Sequence, residues 1–238
     1  PLTRIAEEVG TPVYVYSRAT LERHAQVFRD GIAPVGRSHI AFAIKANPNR
    51  AVLRVLAKAG YGADVVSGGE ISRAIASGMK PEDVVFSGVG KTRAELEQAL
   101  DSGIGQFNIE LEEEGVVLAQ IAASKGMTAN ATLRVNPDVD AGTHAKISTG
   151  KKENKFGVAI DQAPAIFDRL AHLPGLSMRG VALHIGSQLF DLAPLESAYR
   201  RIGQLVADLR AMGHSIDRVD LGGGLGVPYR QEENPPSP

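Results

Sequence analysis

The chain has 238 residues, a formal net charge of −1, 43% hydrophobic and 22% charged residues, and no cysteine. This is globular composition with a near-neutral charge, which supplies no field to draw nucleic acid or an anionic membrane. The missing cysteines remove disulfides and thiolate metal sites, no metal is expected, and no apolar run approaches the ~20 residues of a membrane-spanning helix. The N-terminus, Pro1-Leu-Thr-Arg-Ile-Ala-Glu-Glu8, carries no secretory pattern, so a cytoplasmic enzyme is the expectation. No initiator methionine opens the chain, and the expectation is that its true start has been lost. In chain order, Thr11 to Tyr16 is a short β-rich run and Ser17 to Asp30 an amphipathic helix. His39 to Lys45 then reads as a buried strand that ends on a lysine and breaks at Asn47-Pro48. Alternation puts Ile40, Phe42 and Ile44 on one face and Ala41, Ala43 and Lys45 on the other. A lysine on that small-residue face is costly if charged and unpaired.

From there the pattern repeats. Strand-like runs occur at Gly62–Ser67, Val84–Gly88, Gln106–Glu110, Thr132–Asn136, Val181–Gly186 and Arg218–Gly222. Helical stretches are expected at 50–59, 69–77, 93–101, 111–124, 162–172 and 194–212. Ser67-x-x-Glu70 and Thr92-x-x-Glu95 have the form of capping boxes, and Gly103, Gly126 and Gly213 fit helix exits. Seven βα-type strands on short connections mean a parallel sheet, and the length favours a (β/α)8 barrel of about 250 residues with its eighth strand still to come. The stretch 137–156 is too long for an ordinary connection and reads as functional or mobile. The tail 229–238 has no apolar period and reads as a flexible polar segment.

If the bulky aliphatic set of each strand faces the helices, the opposite parity carries Lys45, Asp64, Ser87, Asn108, Glu110, Arg134, Asn136, His184 and Asp220. Nearly all lie in the last residues of their strands, where barrel active sites form. Any one of them is as easily a satisfied core polar group. Seven strands ending this way are hard to explain by packing alone. The run Asp220-Leu-Gly-Gly-Gly-Leu-Gly226 lacks dinucleotide-fingerprint spacing, but it closes strand seven, where barrels commonly hold phosphate. His184-Ile-Gly-Ser187-Gln188 adds a hydroxyl and further amides. A barrel lysine opposite a phosphate cradle fits either a pyridoxal phosphate Schiff base or a sugar-phosphate aldolase lysine, and the residues alone leave both open.

Phe42-Ala-Ile-Lys45-Ala-Asn47, Asp64-Val-Val-Ser-Gly-Gly-Glu70, Arg134-Val-Asn-Pro137, His184-Ile-Gly-Ser187 and Gly222-Gly-Gly224 occur in this order. The set resembles the fold-type III pyridoxal phosphate decarboxylases, whose barrel is alanine-racemase-like. Asn136-Pro137 followed by His144, Ile147-Ser-Thr-Gly150 and Lys155-Phe-Gly157 is similar to the diaminopimelate-specific branch. The resemblance implies pyridoxal 5'-phosphate as cofactor, with Lys45 joining its aldehyde and His184 stacking on its ring as the two catalytic residues. It implies Ser187, Gly222, Gly223 and Gly224 at the phosphate, Asp64 and Glu70 as an acidic pair on the lysine side, and Arg134 at the ring edge or a neighbouring carboxylate. His24, His39, His172 and His214 match nothing in the family and are expected to be surface or structural.

The implied activity is decarboxylation of an amino acid, meso-diaminopimelate to L-lysine and carbon dioxide in lysine biosynthesis, by a homodimer with no nucleic-acid or membrane partner. Related decarboxylases of carboxynorspermidine, ornithine or arginine are the alternatives, as is a barrel that carries pyridoxal phosphate without turnover. The resemblance further implies that 1–17 packs with a C-terminal β domain, that 18–228 is the cofactor barrel, and that the eighth strand and that β domain lie outside this chain.

Overall fold

The computed structural model describes residues 1–140 and 156–238. Among the described residues, eight strands, all paired in parallel, alternate with helices. They are β1 Ala41–Ala43, β2 Gly62–Val65, β3 Val84–Phe86, β4 Gln106–Ile109, β5 Ala129–Asn136, β6 Val158–Ala159, β7 Leu176–Ala182 and β8 Arg218–Asp220. The helices are α1 Leu2–Val9, α2 Arg18–Ile32, α3 Arg50–Lys58, α4 Gly68–Ala76, α5 Arg93–Asp101, α6 Glu112–Ser124, α7 Ala163–Ala171 and α8 Ala193–Ala211. The sheet runs β1-β2-β3-β4-β5-β7-β8, with β6 joined to the end of β5, and among the described residues no pairing links β8 back to β1. The result is a curled parallel half-barrel with helices outside, the expected α/β architecture without its closing strand.

Local chemistry accounts for most element ends. Asn49 caps α3 by accepting from the Ala51 amide at 2.8 Å. Thr92 and Glu95 form a reciprocal box at α5. At α4 the box is only half made. Ser67 accepts from the Glu70 amide at 3.3 Å, but the Glu70 carboxylate accepts from the Val66 amide at 2.7 Å. Three acids, Glu112, Glu113 and Glu114, open α6, where the helix dipole favours negative charge.

The helix-facing parity of the strands builds the core. Phe86, Phe107, Ile109 and Leu133 are at most 1% exposed and share one cluster with Leu118 and Ile121 of α6 and Leu170 of α7. Each such side chain contributes about 1.5–3 kcal/mol by leaving water.

Three local expectations are corrected. The strand expected over 39–45 is limited to Ala41–Ala43, and Ile44–Ala46 coils into a 3-10 turn closed by the Asn47 amide on the Ile44 carbonyl at 3.0 Å. Asn47 is extended, as a residue before proline must be, and this ends the strand early. Lys45 therefore stands in a turn past the strand tip. Residues 11–16 form no strand, because strand propensity is realised only against a partner strand and none lies beside them. Tyr14 is 87% exposed. Helix α1, which no cap announces, was not foreseen, and none of its residues is buried.

Candidate active site

The inward parity of β2, β4, β5 and β8 forms a connected polar floor. The Ser87 hydroxyl, just past β3, donates to Asp64 Oδ1 of β2 at 2.5 Å. Asn108 Nδ2 of β4 donates to Ser87 Oγ at 3.0 Å and to Asp220 Oδ2 of β8 at 2.9 Å. Its Oδ1 accepts from Gln106 Nε2 at 2.8 Å and from the Thr132 hydroxyl at 2.6 Å. The Asn108–Asp220 contact joins strands that are not neighbours in the sheet, so it crosses the interior. Arg218 makes a second crossing, donating to the Gly105 carbonyl at 2.8 Å.

Around this floor stand the charged groups. Lys45, Arg134 and Asp220 all act on Asp64 at one mouth, and burial pushes the Asp64 carboxyl up to about 6. The Ser87 hydrogen bond, Lys45 and Arg134 oppose that rise, and Asp220 adds to it. His184, in the segment after β7, is lowered to about 4, first by burial and then by the charges of Arg134 and Lys45. Its ring is neutral at pH 7. The sign for stability follows. An unfolded histidine takes up its proton near 6.5, so the buried ring loses stability for the protein as pH falls from about 6.5 toward 4.

Arg134 is held from below. Its Nη1 donates to Glu110 Oε1 at 2.7 Å, and Glu110 is fully buried. The same carboxylate accepts the Gly88 amide at 3.1 Å and the Gly157 amide at 3.0 Å. The Phe156 ring lies 5.0 Å from the guanidinium, in cation–π range. Beside them Lys91, whose side chain has no exposure, donates to Glu114 at 2.7 Å and to the carbonyls of Gly88 and Asn108 at 2.7 and 2.8 Å. Burial raises the Glu114 carboxyl against the pull of Lys91.

The far side of the mouth is two interlocked loops. Leu189 bridges Leu225, with the Leu189 amide on the Gly224 carbonyl at 2.8 Å and the Gly226 amide on the Leu189 carbonyl at 3.0 Å. Gln188 exchanges two bonds with Val227, each 3.0 Å. Gly222 and Gly224 have φ of 68° and 98°, and a Cβ on Gly224 would run into the Gly186 carbonyl oxygen. Around Gly223 there is open space. The Gly222 amide is already committed to Asp220 Oδ1 at 2.9 Å. Ser187 is exposed on the loop facing this run.

Lys45, Asp64, Arg134 and His184 thus come together, and Ser187 and Gly222–Gly224 share the paired loops. Glu70 instead serves the start of α4, where its carboxylate accepts from the Val66 amide. His144, Ile147–Gly150 and Lys155 lie outside the described residues. His214 is packed edge-on against Phe167 and lies 3.1 Å from Asp168, a structural place as expected. The sequence reading missed Gln106, Thr132, Lys91 and Glu114. Lys91 precedes a capping box and Glu114 sits among first-turn acids, so both resemble solvated helix-end charges. Among the described residues no His/Cys/Asp/Glu group could hold a metal ion, and no helix is long and apolar enough to cross a membrane.

The raised Asp64 carboxyl yields a stability prediction. A carboxyl that holds its proton more tightly when folded costs stability as pH rises from about 4 through 6. Asp64→Asn cannot ionise, so the cofactor-free full-length protein becomes more stable by about 2 kcal/mol at pH 7.5 and unchanged near pH 4. Guanidinium unfolding at both pH values measures this, and equal midpoints for the two proteins at pH 7.5 contradict it.

Comparison with known proteins places this geometry. Residues 18–237 match the family model described as "Pyridoxal-dependent decarboxylase, pyridoxal binding domain". The diaminopimelate decarboxylase of Zymomonas mobilis is 52% identical over 240 residues, covering 100% of this chain and 57% of that protein. That of Pseudomonas aeruginosa is 52% identical over 235 residues, covering 98% and 56%. The crystal structure of diaminopimelate decarboxylase from Helicobacter pylori complexed with L-lysine superposes with a TM-score of 0.94 at 39% identity, covering 98% of this chain and 59% of that one. The chain therefore spans less than two thirds of the length of these relatives. From the family match over 18–237, the parallel half-barrel and the ordered motifs around its mouth, the chain belongs to the pyridoxal-binding domain family of the pyridoxal-dependent decarboxylases.

Proposed function

We propose that this chain supplies the lysine and phosphate sides of the active site of a diaminopimelate decarboxylase, which releases carbon dioxide from meso-diaminopimelate to form L-lysine. The observation that carries the reading is the meeting of Lys45, Asp64, Arg134 and His184 at one mouth, facing a glycine run. The relatives at 52% identity bear that name, and the Helicobacter pylori enzyme is complexed with L-lysine. The donor set fits pyridoxal phosphate: a primary amine, a neutral imidazole, and open space around Gly223 beside a serine hydroxyl.

When bound, the cofactor accepts the electron pair left as the Cα–carboxylate bond breaks. Lys45 Nζ would be the amine that holds its aldehyde. When not so engaged, Nζ would hold a proton at the mouth and could return it to the carbon that has lost carbon dioxide. A neutral His184 ring can lie against an aromatic face without desolvating a cation. The amides of Gly223 and Gly224 with the Ser187 hydroxyl are the donors for the phosphate, and Gly222 supports them through Asp220. Arg134, braced by Glu110, holds its charge toward Asp64. The family's shared sites lead us to place the working enzyme in a homodimer.

The test is carbon dioxide release by the full-length protein, loaded with pyridoxal phosphate, from meso-diaminopimelate, L-lysine, L-ornithine, L-arginine and carboxynorspermidine. The expected result is turnover of meso-diaminopimelate above all others. Faster release from ornithine, arginine or carboxynorspermidine moves the specificity. Tight cofactor binding with no release from any of the five leaves a carrier.

A further inference from the structure

Every hydrogen-bonding position of the Asn108 amide is used: Nδ2 donates twice and Oδ1 accepts twice. The orientation of the amide follows from the network. Flipped, its oxygen would face the Asp220 carboxylate and its NH2 would face that of Gln106. Because Asn108 donates to Ser87 Oγ, the one proton of the Ser87 hydroxyl is left for Asp64 Oδ1. That oxygen is then obliged to accept, and any proton Asp64 carries sits on Oδ2. On the other branch, Asp220 accepts Asn108 on Oδ2 and the Gly222 amide on Oδ1. One unbroken chain thus runs from the lysine side of the mouth, across the interior, to the first glycine of the run.

We propose that Asn108 is a positioning residue of the cofactor pocket, whose amide fixes hydrogen-bond direction along Asp64–Ser87–Asn108–Asp220–Gly222 and so couples the protonation of Asp64 to the placement of the glycine run. Protonating Asp64 on Oδ2 weakens Oδ1 as an acceptor. Ser87 Oγ then draws less on Asn108 Nδ2, whose second N–H donates more strongly to Asp220 and so weakens that carboxylate's hold on the Gly222 amide. The charged groups acting on Asp64 from the other elements are Lys45 after β1, Arg134 on β5 and Asp220 on β8. The relevance to cofactor binding rests on the function proposed above, whereas the coupling itself belongs to the chain alone.

The test uses cofactor-free full-length protein labelled with 15N-glycine and 13C-aspartate, titrated between pH 4 and 8. In the wild type the Gly222 amide shift should follow the Asp64 carboxyl with one midpoint, and Asp64→Asn should abolish that inflection, which assigns it. Asn108→Ala and Ser87→Ala should each remove the shared midpoint from Gly222, and Thr132→Val, which leaves both donations in place, should keep it. In Asn108→Ala the dissociation constant for pyridoxal 5'-phosphate should rise about tenfold. If Asn108→Ala does not fold, Ser87→Ala decides, since it cuts the chain without touching the β4–β8 contact. The proposal is overturned if Gly222 keeps the Asp64 midpoint in either chain-breaking variant, or if cofactor affinity in Asn108→Ala stays within twofold of wild type. A wild type that binds no pyridoxal phosphate overturns the functional reading instead, and the amide titration still judges the coupling.

Discussion

Lys45→Ala is expected to lower carbon dioxide release from meso-diaminopimelate by about 10^3- to 10^4-fold and to leave no cofactor on the protein after borohydride reduction and denaturation. The variant removes the primary amine and, with it, the proposed proton carrier at the mouth. Alanine leaves the fold intact, because Lys45 is exposed in the turn past β1 and supports no neighbouring backbone. Lys45→Arg separates the two parts of the role. It keeps a positive charge near Asp64 and His184 but has no nucleophilic amine, since guanidinium stays protonated. Both variants should therefore be inactive, and Lys45→Ala alone should move its neighbours. Losing the cation raises both Asp64 and His184, because Lys45 lowers each of them. A Lys45→Ala protein that still retains borohydride-fixed cofactor would defeat the assignment.

Glu110→Ala should cost the full-length protein about 3–5 kcal/mol, read as the shift in guanidinium unfolding. Glu110 is completely buried and accepts from Arg134 and from the amides of Gly88 and Gly157. Truncation leaves a guanidinium whose side chain is 11% exposed without this carboxylate, and two amides without this acceptor. Glu110→Gln should lose less, since its carbonyl oxygen can still take an amide. A drop below about 1 kcal/mol for the alanine variant would show that the surrounding groups find other partners. The contrast with Asp64→Asn is useful: one buried acid holds the mouth together, and the other weakens the fold at neutral pH.

Much of this architecture was legible from periodicity. The expected helices 93–101, 111–124, 162–172 and 194–212 lie within a residue or so of α5 to α8, because apolar spacing and caps act locally. The N-terminal region was not. Thr11 to Tyr16 has strand composition without a strand beside it, and α1 has neither a capping side chain nor a buried face. The strand expected at 39–45 was too long, because period-two reading cannot see a 3-10 turn imposed by the Asn47-Pro48 step.

At the site, parity pointed Asp64, Asn108, Glu110, Arg134 and Asp220 inward, and their side chains do meet there. What parity could not give is which of them bond to which. Asn108 was one polar residue among several, with nothing local to mark it as the junction of four side chains. Lys91 and Glu114 were hidden more thoroughly. Each sits at a helix start where a charge is ordinarily solvated, and only the approach of α6 to the β3 end buries them against each other.

The crossing between β4 and β8 bears on the order in which the protein assembles. Neighbouring strands of the sheet close short loops, whereas Asn108 and Asp220 are separated by 112 residues. Loop closure becomes costlier with length, so that contact is favourable only after the intervening βα units have shortened the effective distance. Asp220 in turn fixes the Gly222 amide. The pocket proposed for an anionic ligand is thus completed by a long-range step of folding, and a half-assembled chain has no competent cradle to offer.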